Sequence, residues 1–234
     1  MFDGEFLSGV FQNTPYATQH YVSEPPSDEL IADCEASLGV KLPCSYIELM
    51  KFQNGGELRK TKIASPNKTS WGYEYIPLMY IFGIGNIKDF TLCGKRGSNF
   101  WVSEWKYPTN GLIYFCDTSS GGHDLLAFDY RECGENGEPC IVHVDQEFGF
   151  AITKVAPNFE TLMRDLEEDI AMIDMSSFQI VELWTHVFLK SCCIYPELID
   201  QMVCMCVYAV WLMQTLYFDT VSPVFSPPSA LHQQ

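Results

Sequence analysis

Basic side chains are scarce in this chain: its 234 residues carry 14 Lys and Arg against 30 Asp and Glu, a formal net charge of −16. Such a chain repels phosphate, which argues against direct contact with nucleic acid or anionic lipid and favours a basic partner. Catalytic signatures are missing too. There is no G-x-S-x-G elbow, no H-E-x-x-H pair and no Walker lysine after a glycine-rich loop. Gly83-x-Gly85 lacks the third glycine of a dinucleotide fingerprint and reads as a tight turn. The ten cysteines include no C-x-x-C pair, and Cys192-Cys193 with Cys204-x-Cys206 lack the spacing of a structural zinc site. Asp3 and Glu5 stand where an export signal would carry basic residues, so a cytoplasmic location with free thiols is expected. Cys34, Cys116 and Cys140 fall at apolar positions, as small buried hydrophobes do.

What is present starts with enough apolar material for a core, 47% of the residues. The acidity is concentrated: residues 100–170 hold 14 acidic side chains and 4 basic ones, a net of −10. Two readings of this stretch stand side by side, a solvated acidic surface and a face that steers a cationic protein.

Residues 21–56 predict a helical hairpin. Ser27 is placed to cap a helix whose first turn carries Asp28 and Glu29 against the positive helix end. Leu30, Ile31, Cys34 and Leu38 share a face, Gly39 suits a left-handed stop, and Pro43 prevents simple continuation. A second helix from Ser45 carries Tyr46, Ile47, Leu49, Met50 and Phe52, and Asn54-Gly55-Gly56 breaks it. Residues 58–71 are polar and read as a loop, 76–82 as a strand, 86–92 as one helical turn, and 99–106 as a short helix capped by Ser98. Strands follow at 112–116, 125–130, 141–144 and 150–155, joined by turns suited to antiparallel hairpins, and Asn158 caps a closing helix. The predicted class is α+β, with helices at both ends of a central antiparallel sheet.

Glycine disappears after residue 149, and residues 170–234 hold one Lys and no Arg among many Met, Cys, Trp and aliphatic side chains. The run 202–218 has Gln214 as its one strongly polar residue but lacks flanking basic residues. A buried helix or oligomer contact, a membrane span and an aberrant extension are the three readings of this tail. Its Pro- and Ser-rich end is expected to be disordered. The predicted organisation is an N-terminal extension at 1–20, a domain at 21–169 and an apolar, mainly helical tail at 170–234.

Four segments carry a family resemblance: LGVKLPCSYIELMKFQNGG at 38–56, IFGIG at 81–85, GGHDLLAFDYR at 121–131 and GEPCIVHVDQE at 137–147. In this order and spacing they resemble the Smi-one/Knr-four branch of the SUKH superfamily over about residues 21–166. The resemblance implies the same α+β fold and points to no catalytic residue, and the binding role it suggests needs no cofactor. It implies a protein-binding role: bacterial members are mostly immunity proteins that neutralise polymorphic toxins, often nucleases, and fungal members regulate cell-wall assembly and signalling.

Two constellations invite a functional reading. His123, Asp124, Asp129, His143 and Asp145 could gather around a metal in a hydrolase, although the simpler reading is that His123 and Asp124 serve a Gly-Gly turn. Trp71, Tyr73, Trp101, Trp105 and Tyr107 are ordinary core candidates, yet with Glu104, Asp117, Asp124, Asp145 and Glu147 they would make an acidic, aromatic face for a basic toxin domain. Trp101, Glu104, Trp105, Asp117, Asp124, Asp145 and Glu147 are therefore the candidate partner-binding residues.

Overall fold

The computed structural model describes residues 2–168. The chain divides into two units, Met1–Ile170 and Ala171–Gln234, and the described residues lie in the first. The readings of the tail, the 202–218 run and the four cysteines from Cys192 onward lie outside the described residues.

The predicted hairpin forms as α3, Asp28–Leu38, and α4, Cys44–Phe52. The Ser27 side chain accepts from Leu30 N, and Gly39 closes α3 in the left-handed conformation, φ 74°. α4 starts at Cys44, behind Pro43, with no side-chain cap. Its Tyr46 is fully buried and meets the rings of Phe115, Phe128 and Phe159 at centroid distances of 6.3, 5.2 and 5.2 Å. Burying an aromatic of this size contributes about 1.5–3 kcal/mol, and the phenol avoids a desolvation loss by donating to the Phe82 carbonyl.

Eight antiparallel strands make one sheet. Their chain order is β1 Phe11–Gln12, β2 Gly56–Leu58, β3 Lys62–Ala64, β4 Tyr75–Ile81, β5 Leu112–Thr118, β6 Asp124–Asp129, β7 Cys140–Asp145 and β8 Ala151–Ala156. Across the sheet the order is β1-β2-β4-β5-β6-β7-β8, with β3 also paired to β4. The three short strands β1 to β3 escape the sequence pattern, because two or three residues are too few to show alternation. Phe128 lies on the face that meets Tyr46 and the closing helix α6, Phe159–Asp165, which Asn158 caps as predicted. On the other face Tyr114 packs against Tyr107, just past the end of α5, Ser98–Trp105.

Two local expectations change. Ser98 does not cap α5; Gly97 occupies the N-cap, and the Ser98 hydroxyl accepts from Tyr114 N, tying α5 to β5. Residues 86–92 form turns rather than a helical turn, within a loop where Leu92 N and Cys93 N donate back to the Gly83 and Gly85 carbonyls.

Residues 1–20, read as an extension ahead of the domain, contribute α1 Gly4–Val10, α2 Pro15–His20 and the edge strand β1. Beyond them Tyr21 stacks on Tyr80 and Phe90, and its hydroxyl donates to Asp117 Oδ2 at 2.9 Å.

The NGG and GIG segments meet in space. Asn54, almost wholly buried, donates through Nδ2 to the Glu24 and Ile84 carbonyls and accepts from Ile84 N at 2.7 Å. Gly83 lies against it so closely that a Cβ there would sit 2.7 Å from Asn54 Oδ1 and 2.8 Å from its carbonyl oxygen. These glycines serve backbone-to-backbone docking of the helical hairpin on the end of β4.

Candidate partner-binding face

Asp145 organises the exposed end of the central strands. It is the last residue of β7, directly opposite Asp124 on β6, and its side chain is buried. Oδ1 accepts from Ser70 Oγ at 2.8 Å and Phe148 N at 3.3 Å, while Oδ2 accepts from Ser70 N at 2.8 Å. One carboxylate thus joins the loop before β4 to the β7–β8 turn. Trp71, next to Ser70, and Phe148 are both largely exposed, at 45% and 56%.

A third segment joins them. The β5–β6 turn carries His123, whose Nδ1 lies 2.8 Å from Glu147 Oε1. The imidazole meets the edges of Trp71 and Trp105, at centroid distances of 6.2 and 5.7 Å. Trp105 leans on Trp101, one turn earlier on α5. Trp101 is buried, and its ring lies so close to Gly122 that a Cβ there would sit only 2.5 Å from it. The bare Gly-Gly turn therefore lets the indole slide beneath His123. Tyr107 completes the floor, donating to the Gly122 carbonyl at 2.7 Å; burial, then the carboxylates of Asp124, Asp145 and Glu147 with Tyr114, push its phenol up.

The seven candidate residues therefore separate. Glu104, Trp105 and Glu147 reach solvent, Glu104 on α5 beside Trp105. Trp101 supports them from below. Asp124 and Asp145 are buried at the same end of the sheet and act on internal partners. Asp117 belongs elsewhere: at 9% exposure it accepts from Tyr21 Oη and from Tyr80 N at 3.0 Å. Phe148 and Ser70 were not singled out in the sequence. An aromatic in the polar turn DQEFG between two strands is the signal that marks Phe148.

The alternative hydrolase cluster is dispersed. His143 Nε2 donates to Asp124 Oδ2 at 2.7 Å, with both side chains buried. His123 faces outward to Glu147, and Asp129, at the far end of β6, holds Arg131 in a two-pronged contact. Among the described residues, no group of three or more His, Cys, Asp or Glu is placed to hold a metal ion, and no helix is long and apolar enough to cross a membrane.

The result is a face with aromatic surface at Trp71, Trp105 and Phe148 and acidic charge at Glu147 and Glu104, supported from inside by Asp145, Trp101 and Tyr107. No curated protein matches the chain. Residues 25–165 match the model of the SMI1 / KNR4 family (SUKH-1), a span that takes in the hairpin, strands β2 to β8 and α6. The match covers more than half of the sequence and includes the NGG and GIG segments whose docking shapes the fold, so the chain belongs to the SMI1 / KNR4 family (SUKH-1).

Proposed function

We propose that this chain is a non-enzymatic binding protein of the immunity type, which neutralises a basic toxin domain by covering it stoichiometrically. The observation that carries this reading is the face of Trp71, Trp105, Phe148 and Glu147, where exposed aromatic surface lies beside acidic charge in a chain of net charge −16. Aromatic anchors supply most of the energy of such interfaces, and complementary charge accelerates encounter and selects the partner's sign. A nuclease-type toxin fits because its nucleic-acid groove is cationic and its inhibition requires only occlusion. No cofactor or catalytic group enters this mechanism.

The test is titration calorimetry of the full chain against purified basic nuclease-toxin domains, beginning with any that a neighbouring gene encodes, at two salt concentrations. Stoichiometric binding that weakens with salt is the expected result. Trp71→Ala should reduce affinity by roughly 30-fold or more, and Glu147→Lys should slow association several-fold, both without loss of fold. Tight binding that neither substitution disturbs would move the contact to another surface. No binding, together with capture of cell-wall or signalling components, would replace immunity with the regulatory role of fungal family members.

A further inference from the structure

Cys34 and Cys93 stand 59 residues apart in sequence and match no cysteine motif, yet their sulfur atoms lie 3.0 Å from each other. Cys34 is on the buried side of α3, and Cys93 is half-buried in the loop that leads to α5. That loop is held tightly. Cys93 N donates to the Gly85 carbonyl at 3.0 Å, and a Cβ at Gly94 or Gly97 would lie 2.2 Å from the Lys88 or Thr91 carbonyl oxygen. The two thiols are therefore in contact because two docked elements hold them there.

We propose that Cys34 and Cys93 form a reversible oxidation site for peroxides, closing a disulfide between α3 and the loop before α5. Cys93 is the attacking sulfur, since it is the one of the pair that solvent reaches. Its thiolate attacks one peroxide oxygen, the O–O bond breaks, and Cys93 becomes a sulfenic acid as water leaves after proton transfer. The Cys34 sulfur then attacks the Cys93 sulfur, the S–O bond breaks, and a second water carries away the hydroxyl with the Cys34 proton. Sulfur is oxidised by two electrons, and peroxide is reduced to two waters. Closing the bond requires an approach of about 1 Å from the present separation. The hydrogen bond between the thiols lowers the Cys93 thiol and raises Cys34, matching the division into attacking and resolving sulfur. Exposed Cys44 and Cys133 are more open to solvent, so exposure alone would direct oxidation to them instead.

The experiment treats the reduced full chain with one equivalent of hydrogen peroxide, caps remaining thiols with N-ethylmaleimide in denaturant, and maps peptides by mass spectrometry. The expected product joins the Cys34 and Cys93 peptides with loss of two hydrogens, and dithiothreitol reverses it. The oxidised protein should also melt at a higher temperature than the reduced one. In Cys34→Ala, the Cys93 sulfenic acid should accumulate and be trapped by dimedone, which labels the wild type far less. Cys93 over-oxidised with Cys34 still free, or peroxide consumed first at Cys44 or Cys133, would overturn the proposal. The wild-type peptide map decides the matter even if the variant fails to fold.

Discussion

Asp124 and Asp145 stand directly opposite each other on β6 and β7, both buried, and each carboxylate is held by a different set of donors. Like charges across a strand pair are destabilising, so an arrangement of this kind persists only where each group is separately satisfied. Asp124 accepts from His143 Nε2 and from Thr118 Oγ1 at 2.7 Å, while Asp145 accepts from Ser70 and Phe148. The first set lies inside the domain. The second fixes the exposed loops, so a buried charge shapes a surface it does not reach.

Removing His143 should uncover the Asp124 carboxylate. Burial alone would raise that carboxyl, but hydrogen bonds from His143, Ser120 and Thr118 outweigh it and hold the group below its ordinary value of 3.8. A depressed carboxyl adds stability above its unfolded value, and that stability is lost as pH falls through the folded value. His143→Ala should therefore cost about 3–5 kcal/mol at pH 7 and distinctly less near pH 4, where the variant's buried Asp124, having lost its strongest hydrogen bond, can take up a proton while the wild-type carboxylate still holds its charge. Urea denaturation across this range measures it, and an equal deficit at both ends would show that lost packing, not charge, is responsible.

Asp117 should give the opposite pH dependence. Burial pushes its carboxyl up to about 7, against the hydrogen bonds from Tyr21 and Tyr80. A raised carboxyl favours the folded state fully at low pH, and the advantage is lost as pH rises from the unfolded value near 3.8 to the folded value near 7. Asp117→Asn keeps a polar group beside Tyr21 Oη and cannot ionise. Its stability relative to wild type should improve between pH 4 and pH 8, by an amount on the order of 1.4 kcal/mol for each tenfold difference in proton affinity removed. Paired melts at the two pH values test this; a constant difference would count against a strained, buried Asp117.

Gly83→Ala should destabilise the hairpin docking by about 1–3 kcal/mol or more, because the added methyl meets Asn54 through both its side chain and its carbonyl. Asn54→Ala alone should also be costly, leaving Ile84 N and two carbonyls without their buried partner. Since the two changes act at one contact, the double variant should cost less than the two single costs together. Full additivity in denaturant titrations would mean that the contact is not shared.

Local signals carried much of the fold because they act over a few residues. Ser27 and Asn158 sit at the helix starts their side chains favour, Gly39 at the left-handed stop that its lack of a side chain permits, and the five strands β4 to β8 lie within a few residues of the apolar runs that predicted them. Strands β1 to β3 were not legible, since they depend on pairing with β2 and β4 rather than on a pattern of their own. Ser98 departs from its expected cap role for a related reason. A hydroxyl before a helix resembles a cap, and only the neighbouring β5 backbone shows that it is used elsewhere.

The candidate face divides along the same line. Composition and patterning by themselves determined the acidic character, the α+β class and the supply of aromatics, all properties of residue type and short-range spacing. Which carboxylates reach solvent was decided by tertiary structure alone: Asp117, Asp124 and Asp145 read like Glu147 in sequence, but long-range hydrogen bonds to Tyr21, His143 and Ser70 draw them inside. The same holds for Cys34 and Cys93. Their contact exists because α3 docks against a loop that closes on Gly83 and Gly85, and no spacing along the chain encodes a distance of 3.0 Å across 59 residues.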